Sequence, residues 1–345
     1  MRLCLAALLV SSSVLHAQSA PRVQEQTSPT TALLQTIHAV NDSVVWASGH
    51  RGTVLRTRDG GITWERLPAP AGDTLEFRDV HALSVNEAWI LSSGNGPKSR
   101  IYHTTDGGRR WSRQFLNADS AAFFDCLSMR ASSAGTVFGV AFGDASNGRS
   151  NILYTRDGGA HWTPAEGAPA PRPSEGGFAA SGQCVVHGDA QTVFVATGAP
   201  EARLFRSTDG GARWQVLATP FVRGTVAGMT GLSFDGPRRG VAVAGDIDRL
   251  RTDTSSAVIG ITEDGGTTWT LRARPPLPGA LSGVTWVPAV PRGAIVASGY
   301  GGAFYSLDGA LTWTTLTDAV TPSVTAAGRR VWISGAKGRI WRLDF

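Results

Sequence analysis

Lysine is almost absent from this chain: Lys98 and Lys337 are the only two in 345 residues, and arginine supplies the remaining basic charge. The formal net charge is +5, and its basic residues are spread out rather than run together. A nucleic-acid surface needs a basic stripe interleaved with aromatics. None is present, so no nucleic-acid partner is expected, and the arginine bias reads as genome composition. Cysteine is scarce too. Of three, Cys4 lies near the start, leaving Cys126 and Cys184 for any bridge. Histidines lack metal-ligand spacing, so no metal is expected. No cofactor is expected either: Gly94-Asn95-Gly96 is followed by no helix and belongs to no βαβ unit. There is no Gly-x-Ser-x-Gly elbow. Beyond residue 17 no apolar run approaches the roughly 20 residues of a transmembrane helix, so no such segment is expected in the mature chain.

Residues 1–17 have the make-up of a secretory signal: Arg2, an apolar run from Leu3 to Val10, a serine stretch, and Ala17 at the cleavage position. Export to the periplasm or beyond is the expectation, with the formal charge falling to +4 once Arg2 is lost. An exported location permits a disulfide.

Glycine, by contrast, is abundant at 42 residues, and much of it sits in one repeated pattern, Ser/Thr-x-Asp-Gly-Gly-x-x-Trp. Its six copies are centred on Asp59, Asp106, Asp157, Asp209, Asp264 and Asp308, 44 to 55 residues apart, and only the last departs, with Ala310 at the second glycine. That period is what a propeller blade of four short strands needs. Asp-Gly-Gly between apolar stretches is a tight-hairpin signal, because glycine supplies positive φ and the carboxylate accepts from turn N–H groups. The tryptophan then opens the next strand and is expected to bury its ring between sheets. Each box aspartate is read as a turn cap rather than a ligand, since six rotated copies could hardly converge on one substrate.

A second repeat gives the blade count. An apolar strand ending in glycine precedes each box, closing at Gly49, Gly94, Gly143, Gly198, Gly245 and Gly299, and a seventh ends at Gly335 without a box. The final blade is one strand short, and an open sheet edge would be exposed there. A seven-bladed all-β propeller, its ring closed by an N-terminal strand within 18–30 and the C-terminal blade, is therefore predicted. Residues 31–345 form the propeller domain in this reading.

With strands A to D numbered outward from the axis, the boxes occupy the C–D turns. The D–A and B–C loops share the opposite rim, where variable loops such as 165–182 are the natural place for function. Aligning the inner strands puts Asp79, Asp125 and Gln183 at matching positions. Two carboxylates at the tunnel mouth could raise one another's pKa and act as acid and base. The plainer reading is solvated or arginine-paired aspartates, with Arg78 as the partner of Asp79. Arg51, Arg78, Asn95, Arg100, Asp144, Arg203, Asp246 and Tyr300 decorate the same rim and would suit an acidic ligand or partner. Glu175 joins them from the long loop. His38 and His81 match in position alongside Leu127, Val185 and Ser233, as a metal pair or, more plainly, as tunnel lining. Cys126 and Cys184 fill one slot on adjacent inner strands, so both side chains point the same way round the ring. Bridging requires Cα atoms within about 7 Å and converging Cβ vectors, which leaves the disulfide open.

The boxes match the Asp-box, or bacterial neuraminidase, repeat. The fuller signature from Gly52 to Trp64 resembles the photosystem II stability/assembly factor family, and the likeness extends over the mature chain. Phe77-Arg78-Asp79-Val80-His81-Ala82 and Phe123-Phe124-Asp125-Cys126 resemble a bacterial branch not tied to photosynthesis. The resemblance implies an exported seven-bladed propeller that assists assembly of a membrane complex, hence a non-enzymatic scaffold with a protein partner. An oxidoreductase label carried by that branch finds no supporting motif. Sialidases share the boxes, and a carbohydrate-active enzyme using Asp79 and Asp125, assisted by Glu175 or Tyr300, is the competing expectation. Its arginine triad is matched only loosely by Arg78. Repeats alone do not imply catalysis.

Overall fold

The computed structural model describes residues 19–72, 74–290 and 293–345; the expected signal over 1–17 lies outside them. Seven four-stranded antiparallel sheets are arranged as blades, and no α-helix occurs among the described residues. The inner strands are Leu34–Ala39, Phe77–Ala82, Phe124–Ala131, Val185–His187, Ala227–Asp235, Leu281–Trp286 and Val324–Ala327. Six blades take their strands consecutively. The seventh is completed by the N-terminal strand Arg22–Gln26, which pairs antiparallel with Ile340–Asp344 from Arg22 opposite Asp344 to Gln26 opposite Ile340. The ring is thus closed by both termini, as the missing box implied. No described helix is long and apolar enough to cross a membrane.

The boxes are turn caps. Thr57 donates to Asp59 Oδ1 at 2.8 Å and accepts from Gly61 N–H at 2.8 Å, while Asp59 Oδ1 accepts from Thr63 N–H at 2.9 Å. The hydroxyl-to-carboxylate bond recurs in the other five boxes. Burial works against ionisation of Asp59, but bonds from Thr63, Thr57 and Gly61 outweigh it and hold its pKa at about 2. Ala310 adopts φ 64° and still closes its turn, its N–H donating to Ser306 at 2.9 Å. The box tryptophans pack less deeply than expected: Trp64 is 8% exposed, but the other five are only half-buried. They start the outermost strand, where covering neighbours run out. The deep indoles are instead Trp46, Trp89 and Trp332 on second strands, between blades.

Arginine does much of the stitching between blades. Arg56, 1% exposed, lies 5.2 Å from the Trp46 ring and donates to Gly107 O of the next box at 2.7 Å. Arg206 reaches Gly265 O, and Arg342 reaches Gly60 O across the ring closure. Part of the arginine content is therefore committed to blade-to-blade contacts.

Cys126 and Cys184 form a disulfide with Cα atoms 5.8 Å apart. Matching slots do not keep them apart, because inner strands crowd together at the axis. The bridge encloses a sequence separation of 58 residues, which on loop-entropy grounds is worth up to about 4 kcal/mol. The Cys126→Ser/Cys184→Ser protein is expected to lose about 2–4 kcal/mol in urea unfolding, and reductant to lower the wild-type midpoint but leave the variant unmoved. A wild-type midpoint insensitive to reductant under unfolding conditions would contradict the bond.

Candidate functional site

Strand register sorts the tunnel-facing residues into levels. In blades 1, 2 and 3 a β-bulge interrupts the inner strand between Leu34 and Thr36, Phe77 and Asp79, and Phe124 and Cys126. Beyond it, Thr36, Asp79 and Cys126 occupy one slot, opposite Ser48, Leu91 and Phe142. Asp125 sits in the bulge itself, where blade 2 has Arg78. This corrects the alignment of Asp79 with Asp125: they differ by one residue, and one step turns a strand side chain to the other face.

The consequences for the two carboxyls differ. Asp79, 2% exposed, bridges blades by accepting Leu127 N–H at 2.6 Å. Burial raises its pKa well above the usual carboxylate range, against the pull of bonds from Leu127, Val80 and Thr36. Its expected partner Arg78 turns instead to Glu76, with Nη2 2.7 Å from Oε2. Asp125, also 2% exposed, lies close enough to Asp144 for the two carboxyls to perturb one another, and its buried Oδ2 has no hydrogen-bond partner. Two like charges so close in a buried setting favour the protonated form. Burial, then the Asp144 charge, push Asp125 up; burial pushes Asp144 up to about 6, against the Gly177 N–H and Asp125.

Above these groups the loop 165–182 folds inward and blocks the tunnel on the D–A/B–C side. Gly177 packs directly on Asp125 and Gly182 on Asp79, with no room for a Cβ against the latter. Gln183 donates to Val284 O at 3.1 Å and Val324 O at 2.9 Å, and accepts from Val284 N–H at 2.8 Å. Ser181 donates to Ser282 O at 2.5 Å and its carbonyl accepts from Ser323 Oγ at 2.9 Å. Gln35 donates to Ala180 O. The plug is thus tied to blades 1, 6 and 7.

Glu175 anchors the loop. Its carboxylate, on a residue 3% exposed, accepts from Arg203 Nε at 2.7 Å, from Arg203 Nη2, from Thr197 Oγ1 at 2.9 Å and from Arg172 N–H at 2.9 Å. Glu175 and Arg203 therefore hold the scaffold, and none of these bonds goes to Tyr300, in the blade 6 B–C turn. Asp246 is taken by Arg249 Nε at 2.8 Å and by Asp248 N–H. Arg51 donates to Thr31, and Arg100 to Pro97 O and Tyr102.

What the rim brings together is smaller than the full set. Arg78, Asn95 and Lys98 line one cleft of about 390 Å³ with Glu76 and Ser93, whose buried hydroxyl has no hydrogen-bond partner. Glu76 and Ser93 carried no sequence signal; only the fold sets them beside Arg78. No group of three or more His, Cys, Asp or Glu suited to a metal occurs among the described residues.

The Asp125–Asp144 pair makes a pH prediction. Both folded-state pKa values lie above the unfolded ones, so folding favours the protonated forms. Stability is retained below pH 4 as far as these groups go, and falls as pH rises through about 6. Asp144→Asn is expected to stabilise the protein by about 1–2 kcal/mol at pH 7.5 and to do little at pH 4. Thermal melts at both values check it; a variant less stable than wild type at pH 7.5 would overturn this assignment.

Residues 16–122 match the model of the family described as photosynthesis system II assembly factor YCF48. No curated protein sequence matches the chain. Among solved structures, YCF48 bound to D1 peptide is 19% identical, with 95% of this chain and 100% of that chain covered and a TM-score of 0.62. YCF48 from Cyanidioschyzon merolae is also 19% identical, with 94% and 99% covered and a TM-score of 0.65. The GH74 enzyme of Niastella koreensis is 17% identical, with 90% of this chain but 52% of that chain covered and a TM-score of 0.64. These structural likenesses show the propeller fold. Together with the matched segment they agree with the assembly-factor-like Asp-box family read from the repeats.

Proposed function

We propose that this Asp-box propeller, similar to the YCF48 family, is an exported binding or assembly scaffold that engages an acidic segment of a protein partner through the rim opposite the boxes. The observation that carries the reading is the Arg78–Asn95–Lys98 cleft. Two cations and an amide face one shallow hollow, and the only carboxylate there, Glu76, is an exposed partner that an incoming carboxylate can replace. Strand and loop residues of blade 2, with Phe123 ahead of blade 3, wall the hollow, and a preformed cleft limits the ordering cost of binding. Similarity to a protein solved with a bound peptide supports a peptide as ligand. Export is supported by the leader-like residues 1–17 and by the Cys126–Cys184 bond.

A glycosidase would need two carboxyl groups flanking one sugar-sized pocket, about 5–9.5 Å apart. Asp79 and Asp125 lie in different slots under the plug, and the chamber beside Asp79 does not include Asp125 in its walls. The scaffold reading is therefore preferred. In fluorescence anisotropy with acidic and neutral peptides, Arg78→Glu/Lys98→Glu should weaken acidic-peptide binding at least about tenfold. Glu76→Gln, which frees Arg78, should strengthen it. Acidic-peptide affinities unchanged by both variants would sink the proposal.

A further inference from the structure

The plug has a second effect, on the box side of the ring. It turns the tunnel into a blind chamber of about 520 Å³, floored by Ser181, Gly182 and Gln183 and open towards the box rim. One level of its wall is the ring of inner-strand residues whose cross-strand neighbours pair with the residue just before each box hydroxyl or, in the boxless seventh blade, with Arg342. Register places His38, His81, Ser128, Ser233, Thr285 and Thr325 there, with Val186 the one apolar member. Leu127 and Val185, which the sequence alignment sets beside the histidines, pair one residue away from this level, Leu127 with Ala141 and Val185 with Val195.

Six of seven equivalent positions therefore carry a hydroxyl or an imidazole where close packing alone would favour apolar side chains. The imidazole rings of His38 and His81 lie 4.0 Å apart. Burial drives both below the ordinary histidine range, His38 to about 4, and His187 to about 3, so all three are neutral at pH 7. Ser128 Oγ and His187 Nδ1 are 2.8 Å apart, which fixes one ring nitrogen and leaves Nε2 buried without a partner. Arg130 stands exposed in the chamber wall, at the box-rim end of its strand. Asp79 is the only carboxyl in the wall, and Asp189, near His187, lies outside it.

Ser233 and Thr325, whose oxygens accept the Trp286 and Ala39 N–H groups, keep their O–H to donate. Thr285, whose O–H goes to Trp286 O, keeps an acceptor, and Arg130 is the single cation for one anionic group. We infer that the chamber is a binding site for a small polyhydroxylated carboxylate, of the sugar-acid class, whose carboxylate meets Arg130 and whose hydroxyls meet the Ser/Thr/His ring. The site is separate from the Arg78 cleft and does not depend on it. It contains no nucleophile–base pair with an orienting carboxylate, so the inference is of binding, not turnover.

Calorimetric titration of the full mature chain with gluconate, glucuronate and galacturonate, and with glucose and acetate as controls, tests this. At least one of the three acids should bind one-to-one, at least about tenfold more tightly than glucose or acetate. Arg130→Gln, at an exposed position, should bring that acid down to the level of glucose, and Thr285→Val should weaken it further. Arg78→Glu should leave it unchanged. Absence of binding by all three acids, or an affinity that survives Arg130→Gln or falls with Arg78→Glu, would overturn the inference.

Discussion

Removing residues 19–30 should cost the ring about 4–6 kcal/mol and lower its melting temperature by about 10 °C or more. The strand Arg22–Gln26 contributes five cross-strand pairs to the last blade. It also holds the seam between blades 7 and 1. Gln26 donates to Gly60 O at 3.0 Å and accepts from Trp64 Nε1 at 3.1 Å, Ser28 donates to Gly338 O at 2.6 Å, and Glu25 pairs with Arg339 at 2.7 Å. Without them Ile340–Asp344 becomes an open edge beside a Trp64 ring that has lost its Gln26 partner, a template for aggregation. Differential scanning calorimetry of the truncated chain checks the loss, and a synthetic 19–30 peptide added in excess should restore part of it. Unaltered melting would refute closure by the N-terminal strand.

The second large effect is at Arg203. Arg203→Met leaves the Glu175 carboxylate buried without its cation, and breaking a buried pair in this way costs about 3–5 kcal/mol. The loop anchored by Glu175 leads directly into the plug, so local opening should reach residues 176–183 before the blades unfold. Urea unfolding measures the first effect and amide exchange of the loop the second. Replacing both partners, Glu175→Leu/Arg203→Met, should recover much of the loss, because no charge is then stranded. A double variant as unstable as the single one would show that the pair's charge balance is not what matters there.

The architecture was legible because it repeats. Six boxes and seven glycine-ended strands fix blade number, rim polarity and the missing outer strand, and each rests on local turn chemistry that needs no tertiary information. The site was legible only in part. The structure places Arg78 and Asn95 on the rim opposite the boxes, but the strand ladders align Asp79 with Cys126 and His38 with Ser128. The sequence alignment matches Val80 to Cys126, one residue out of step with these ladders, and so pairs Asp79 with Asp125 and His38 with Leu127. Counting inward from the box hydroxyl through the strand ladders, rather than along the chain, would have put His38, His81 and Ser128 at one level. Glu175 and Arg203 looked like rim decoration because their mutual burial depends on how the long loop folds back. Nothing in the residues 165–182 signals that they enter the tunnel. The disulfide turned on inter-strand distance at the axis, a property of the closed ring.

The central claim is that partners meet the rim opposite the boxes. A photo-crosslinking residue placed at Asn95, beside the Arg78–Lys98 cleft, and in a separate protein at Ile62, 78% exposed on the box rim, tests it most directly. In cells producing either protein, position 95 should capture a partner through an acidic segment, located by mass spectrometry of the crosslinked peptide, and Arg78→Glu in the same chain should abolish the adduct. Capture from position 62 alone, or an adduct at 95 that persists with Arg78→Glu, would contradict it.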